Sequence, residues 1–296
     1  MQRSACLKWF VCNDKQQFLI MKAQKIKHIL FLLVSLPVLL QSCDDFTEEE
    51  RLTPLRGETT DKAPISKIQN EQVLLLEDFT GWNCPNCPEG TEILKSLKQT
   101  YGDKIVIAAI HQGAFAKPSN KNNNLDLRTE YGNDLGGRFN ITNWPTLVIN
   151  RDVIPSGRGE WTNKVAEYFA STPHLLNLSL GAKQTGDNIV VSVRAEAVED
   201  ISDNLIITLY ITESDIKGKQ NDNGTLLEGY LFQHVLRNNP LVGLPLTIKE
   251  MKQGEKIDKS YLLTTNGLNP EHCSVVVMVA KASDGKVMQT NEIEIK

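Results

Sequence analysis

The chain has 296 residues, a formal net charge of -4 and 41% hydrophobic residues, which is ordinary globular composition with length enough for two cores. Slight acidity gives no electrostatic reason to expect nucleic acid as a partner, and nothing repeats at a solenoid period.

The start of the chain reads as a targeting segment. Lys22, Lys25 and Lys27 precede an apolar run from Ile29 to Leu40, which leads into Gln41-Ser42-Cys43. That run is too short to span a bilayer and suits the core of a signal peptide. Residues 21–42 are therefore expected to be the signal peptide, with Met21 the better-placed initiator and residues 1–20 an upstream extension. Asp44-Asp45-Phe46-Thr47-Glu48-Glu49-Glu50 then opens an acidic, disordered tether expected over residues 43–70.

Residues 71–173 alternate strands and helices, the order of an α/β layer structure. The apolar run Val73-Leu74-Leu75-Leu76 leads to Cys84-Pro85-Asn86-Cys87-Pro88, and Ile93, Leu94, Leu97 and Tyr101 follow at helical spacing. Two cysteines separated by two residues at a strand-to-helix junction suit thiol-disulfide exchange. Their sulfurs can close within one helical turn, and the unpaired N–H groups of a helix start stabilise a thiolate on the first. Cys84 is the candidate nucleophile and Cys87 its resolving partner, with Pro85 fitting the first helical position. The same pair also suits a purely structural disulfide. It makes a poor zinc site, because no second pair follows and Cys273 and scattered histidines such as His111 are weak substitutes. No cofactor or metal is expected.

A second strand is expected over Lys104 to Ile110, an apolar run typical of a sheet covered on both faces. The polar stretch 117–124 reads as a surface loop leading into a helix around Leu125 to Gly136. Trp144-Pro145-Thr146 then stands just before the apolar Leu147-Val148-Ile149. This resembles the thioredoxin-like pattern, in which a cis-proline packs opposite the cysteine pair and offers backbone to a substrate chain; proline is the residue for which a cis bond is cheap. Asp78 stands six residues before Cys84, where thioredoxins carry a buried acid that handles the proton of the resolving thiol. Glu77 is adjacent, and strand alternation lets only one of the two face the cysteines. The pattern departs from thioredoxin at Trp82, which is one position early because Asn83 intervenes.

After a helix near Trp161 to Ala170 the pattern turns to alternation. Strands are expected over residues 175–182, 188–197, 205–212, 230–236, 256–263, 274–282 and 287–295. Ile189, Val191 and Val193 share one face of theirs, and Ile207, Leu209 and Ile211 one face of the next. Residues 174–296 are therefore expected to form an immunoglobulin-like antiparallel β-sandwich, so that the fold class is α/β plus all-β. Within it, Gln233-His234-Val235-Leu236-Arg237 holds the one tempting His and Arg, and reads as a cross-strand surface pair. Cys273 opens an apolar strand and reads as a buried, inert thiol.

Leu40-Gln41-Ser42-Cys43 resembles a bacterial lipobox, which implies cleavage before Cys43 and lipid on that cysteine. The acidic run behind it resembles the surface-export signal of lipoproteins from Gram-negative gut and oral bacteria. Together with Phe79-Thr80-Gly81, the cysteine motif, Trp144-Pro145-Thr146 with Asn150-Arg151, and residues 233–237, these marks resemble the outer-membrane-protein-28-related family of bacterial lipoproteins. The resemblance implies a thioredoxin-like domain followed by a β-sandwich, lipid-anchored at the outer membrane. The acidic signal points it to the cell exterior, and the alternative is the periplasmic leaflet.

Two functional readings follow. In the first the protein is a thiol-disulfide oxidoreductase whose partners are protein thiols or disulfides: Cys84 attacks, Cys87 resolves, Pro145 holds the substrate backbone, Asp78 or Glu77 relays a proton, and Trp82 lies beside the motif. In the second it is a surface lipoprotein that binds a protein or glycan, and the cysteine pair is a structural disulfide. Named chemistry puts the first ahead. No oligomeric state is indicated.

Overall fold

A computed structural model describes residues 57–121, 125–237, 246–265 and 267–295. The expected signal peptide, the expected lipidation residue Cys43 and the first part of the expected tether lie outside these residues. In chain order the elements are β1 (Gly57–Glu58), β2 (Leu74–Thr80), α1 (Cys87–Tyr101), β3 (Ile105–His111), α2 (Glu130–Arg138), β4 (Thr146–Ile149) and α3 (Trp161–Ser171). Strands β5 (Leu176–Thr185), β6 (Asn188–Ala197), β7 (Leu205–Glu213), β8 (Ile216–Asp222), β9 (Thr225–Phe232) and β10 (Val235–Leu236) follow. The chain closes with β11 (Leu246–Ile248), β12 (Lys256–Thr264), β13 (Cys273–Lys281) and β14 (Val287–Glu294). The result is a mixed α/β structure dominated by sheet.

Strand β2 is buried along its whole length because both its faces are covered. Leu74 and Leu76 pack with Leu94 and Leu97 of α1 and with Trp161 and Val165 of α3. Val73, Leu75 and Phe79 point the other way, to Leu135 of α2 and to Val276 and Met278 of β13. Strand β2 runs parallel to β3 and antiparallel to β4.

The strands do not respect the expected division at residue 173. An eight-stranded sheet runs in the order β14-β13-β7-β10-β3-β2-β4, with β11 also paired to β7. Short β10 makes the join, parallel to β3 at Val235 and antiparallel to β7. The physical reason lies in β13, whose sequence CSVVVMVAK is apolar on both faces. Val275, Val277 and Val279 face one core, while Val276, Met278 and Ala280 face another, so this strand needs cover on both sides. The sheet also curls: Val287 N donates to Asn150 O (2.8 Å) just beyond β4, and Val73 N donates to the Gln289 side chain of β14 (2.9 Å).

A second, four-stranded antiparallel sheet, β1-β12-β6-β5, faces the β7-β13-β14 end of the first across a core of Leu, Ile and Val. Strand β6 occupies the residues expected, and β5, β7, β12, β13 and β14 fall within three residues of expectation. Two elements differ more. The helix expected from Leu125 begins at Glu130, because Thr129 caps it by accepting from Gly132 N (2.9 Å). The strand expected over 230–236 ends at Phe232, since His234 takes a left-handed φ of 55° and β10 then enters the large sheet.

Residues 57–67, part of the stretch expected to be a disordered tether, are held on the sheets. Gly57 and Glu58 pair with β12, Ala63 N donates to Ser192 Oγ (2.8 Å), and Lys67 exchanges backbone hydrogen bonds with Leu180. A Cβ on Gly181 would lie 2.1 Å from the Pro64 carbonyl oxygen, so a bare glycine lets this arm lie directly on β5.

Candidate functional site

Cys84 and Cys87 form a disulfide at the start of α1, with their Cα atoms 5.4 Å apart. The loop is a tight turn: Cys84 N donates to Gly81 O (3.1 Å) and Cys87 N to Cys84 O (3.3 Å). The helix proper starts at Cys87 with Pro88 in its first turn, so Pro85 lies in the preceding turn and not at the first helical position expected for it. Gly81 is required where the loop turns, because a Cβ there would stand 2.5 Å from the Phe115 backbone.

The pair is covered. Strands β8 and β9 form a separate two-stranded hairpin, and its tip lies over the cysteine loop. Asn221 N donates to Trp82 O (2.7 Å), Asn223 N to Pro85 O (3.1 Å), and the Gln220 side chain to Cys84 O (3.1 Å). From the other side Asn83 N donates to Phe115 O (3.0 Å). Cys84 and Cys87 are each 1% exposed as a result. The hairpin was missed in the sequence, although Asn223-Gly224, both at positive φ, is a recognisable hairpin turn.

The remaining expected site residues separate into two groups. Pro145 follows a cis peptide bond and stands against α1, where a Cβ on Gly90 would come within 3.0 Å of its ring. Trp82 is buried beneath the hairpin with Leu127, Phe232 and Val235, its indole N–H donating to Lys117 O (2.9 Å). Glu77 and Asp78 face opposite sides of β2. Glu77 turns away from the cysteines and is clasped by Arg151 through bonds of 2.7 and 3.1 Å. Asp78 lies on the α1 side, 2% exposed, with no hydrogen bond to Oδ1, and burial pushes its carboxyl up to about 7.

Asp78 lines a cavity of about 430 Å³ between α1, the ends of β2 and β3, and the segment 230–234. His111 lines it too, its Nδ1 without a partner, and burial lowers its pKa to about 3 and keeps the ring neutral. His234, from the motif read as a surface pair, contributes a further wall. Cys273 is buried as expected and its thiol is pushed up to about 12 by burial.

The family described as Outer membrane protein Omp28 matches residues 133–296. The chain belongs to the Omp28 family. The matched part holds Trp144-Pro145, Asn150-Arg151 and residues 233–237, and excludes the cysteine pair. No curated protein matches this Omp28-family chain. Among solved structures, HBP35 of Porphyromonas gingivalis is similar in fold, at 17% identity and a TM-score of 0.58, over 79% of this chain and 77% of its own. A domain of the outer membrane lipoprotein Omp28 from the same organism is 18% identical over 43% of this chain and 93% of its own, with a TM-score of 0.28. Family membership associates the protein with the outer membrane. Among the described residues no helix is long and apolar enough to cross a membrane.

Proposed function

We propose that the protein is a lipid-anchored outer-membrane lipoprotein that binds an extracytoplasmic ligand, with Cys84–Cys87 as a structural disulfide in a thioredoxin-like scaffold. The observation that carries this reading is the burial of both cysteines, each 1% exposed, under a hydrogen-bonded hairpin from the second half of the chain. Exchange needs a thiolate to reach one sulfur of the disulfide, and a sulfur sealed by backbone offers no approach. Acyl chains on Cys43 would hold the chain at the membrane, and the acidic run behind it favours display to the exterior. The antiparallel strands from β5 onward supply an immunoglobulin-like frame.

The test is the reduction potential of the pair in the intact protein, equilibrated against thiol buffers, together with alkylation of the native protein. A potential below about -300 mV and no alkylation without denaturant are expected. A value between roughly -270 and -120 mV would move the protein among exchange catalysts.

One observation favours that second reading. Asp78 is a buried acid held near neutral pH on the α1 side of β2, the side on which a proton relay for Cys87 is expected. In that reading the hairpin lifts before exchange. A Cys84→Ser, Cys87→Ser double variant would then lose disulfide reductase activity that the wild type shows.

A further inference from the structure

We infer that the cavity beneath α1 is a binding site for a small molecule with an apolar body and a primary ammonium head, the head seated on Asp78. This deepens the binding reading above and rests on it. The volume, about 430 Å³, falls in the range of small-molecule sites, which are mostly apolar with a few convergent polar groups. Leu94, Ile107, Leu231 and Phe232 supply the apolar wall, and Leu231 is 49% exposed at its margin.

The polar end chooses the ligand. A buried carboxyl is normally paired or fully hydrogen-bonded, yet Asp78 has no partner at Oδ1 and no ion pair among the described residues. His111 lies beside it on the same face, since β2 and β3 are parallel with Asp78 opposite Ala109 and Thr80 opposite His111. Its Nδ1 is likewise unpartnered. Of the lysines that line the cavity, Lys98 is engaged, donating to Glu292 (3.0 Å) and to Ile105 O (2.8 Å), while Lys95 stands 3.7 Å from Glu92 with its side chain 63% exposed to solvent. An anion would find the half-buried cation Lys98 occupied and Asp78 in its way. An ammonium group brings several donors to an acceptor that lacks one. His234 lines the same cavity.

Binding has a proton signature. The titratable groups that line the cavity with Asp78 are Glu92, Lys95 and Lys98 from α1, His111 from β3, and Tyr230 and His234 from the segment 230–234. Asp78 is largely protonated below neutral pH, and an ammonium head stabilises its anion, so binding sends the Asp78 proton to the buffer. Affinity therefore rises with pH through neutrality.

The experiment uses the full lipidated chain in detergent and calorimetric titration with 2-phenylethylamine, 2-phenylethanol and 3-phenylpropanoate. The amine should bind roughly ten-fold or more tightly than the alcohol, as a charge-assisted bond requires, and the carboxylate not at all. At about pH 6 the amine should release close to one proton per molecule bound. Asp78→Asn should cost roughly ten-fold in amine affinity and abolish proton release while leaving the circular dichroism unchanged. Ala109→Leu, which narrows the cavity from its floor, should weaken amine and alcohol alike. Equal affinity for amine and alcohol, an unaffected Asp78→Asn, or no amine binding would overturn the site. The potential of the cysteine pair is measured separately. An exchange-range potential with amine binding intact removes the structural-disulfide reading alone, and an inert disulfide with no amine binding removes the site alone.

Discussion

Glu77 and Asp78 are neighbours on one strand, 0% and 2% exposed, yet they are held in opposite ways. Glu77 enters the interior of the curled sheet, where the Arg151 guanidinium clasps both its oxygens and stands 6.0 Å from the Tyr131 ring centre. Asp78 enters the cavity under α1, where burial alone acts on it and nothing compensates its charge. Burial is therefore common to both, and the partner decides the outcome. The clasped acid is a structural element, and the unclasped one is free to take up a proton or a ligand.

The largest effect expected tests the clasp. Glu77→Gln leaves Arg151 buried and uncompensated, which should cost about 3–5 kcal/mol in urea unfolding. Glu77→Gln with Arg151→Met should recover part of that loss, because a buried pair replaced as a unit loses its desolvation cost as well. A loss below about 1 kcal/mol for the single change would remove the contrast between the two acids.

Asp78→Asn should act with the opposite sign. The carboxyl is raised from 3.8 to about 7 by burial, so the folded state binds its proton more tightly than the unfolded state. The cost of its charge is absent below about pH 4, grows as pH rises and is complete above about pH 7. Asn removes that cost, and the variant should gain on the order of 2–4 kcal/mol over wild type at about pH 8 and nothing near pH 4. His111 works against Asp78 in the same window. Lowered to about 3, it resists protonation when folded, so its contribution is present above about pH 6.5 and is lost as pH falls. Stability of the Asn variant should therefore rise between about pH 4 and pH 6.5, where wild type is flatter. A parallel pair of pH profiles would show that Asp78 has a partner after all.

These contrasts were only partly legible in the sequence. The alternation of Ile189, Val191 and Val193 located β6, and two-residue periodicity stated that Glu77 and Asp78 must diverge. Which acid takes which face depends on Arg151, which lies 74 residues further on at a positive φ just past β4. The hairpin escaped because β8, with Ile216 its one large apolar residue, has no apolar face for periodicity to find. Its turn, Asn223-Gly224, carried the signal instead. The shared sheet escaped because its join, β10, is two residues long, whereas the two-sided apolar run of β13 announced that the strand is covered on both faces.

The disulfide should have an intermediate effect. It closes a very short loop, with a sequence separation of 3, for which chain entropy gives about 2 kcal/mol. Cys84→Ser with Cys87→Ser should lower stability by about that amount and speed hydrogen exchange at Asn221 and Asn223, whose amides bond the loop. Unchanged exchange at those amides would mean that the hairpin holds its place without the cysteine turn.

The smallest effect isolates solvent as the cause of the Glu77 result. Arg194 and Asp258 make a two-pronged pair of 2.7 and 3.2 Å on the surface of the smaller sheet, with side chains 44% and 54% exposed. The chemistry is that of Arg151 and Glu77, and only the surroundings differ. Water already compensates both ions here, and holding two long side chains together costs entropy, so Arg194→Met should cost far less than Glu77→Gln and less again in high salt. If it costs as much as Glu77→Gln, then bidentate geometry and not burial sets the strength of the clasp, and Asp78 must be explained by shape alone.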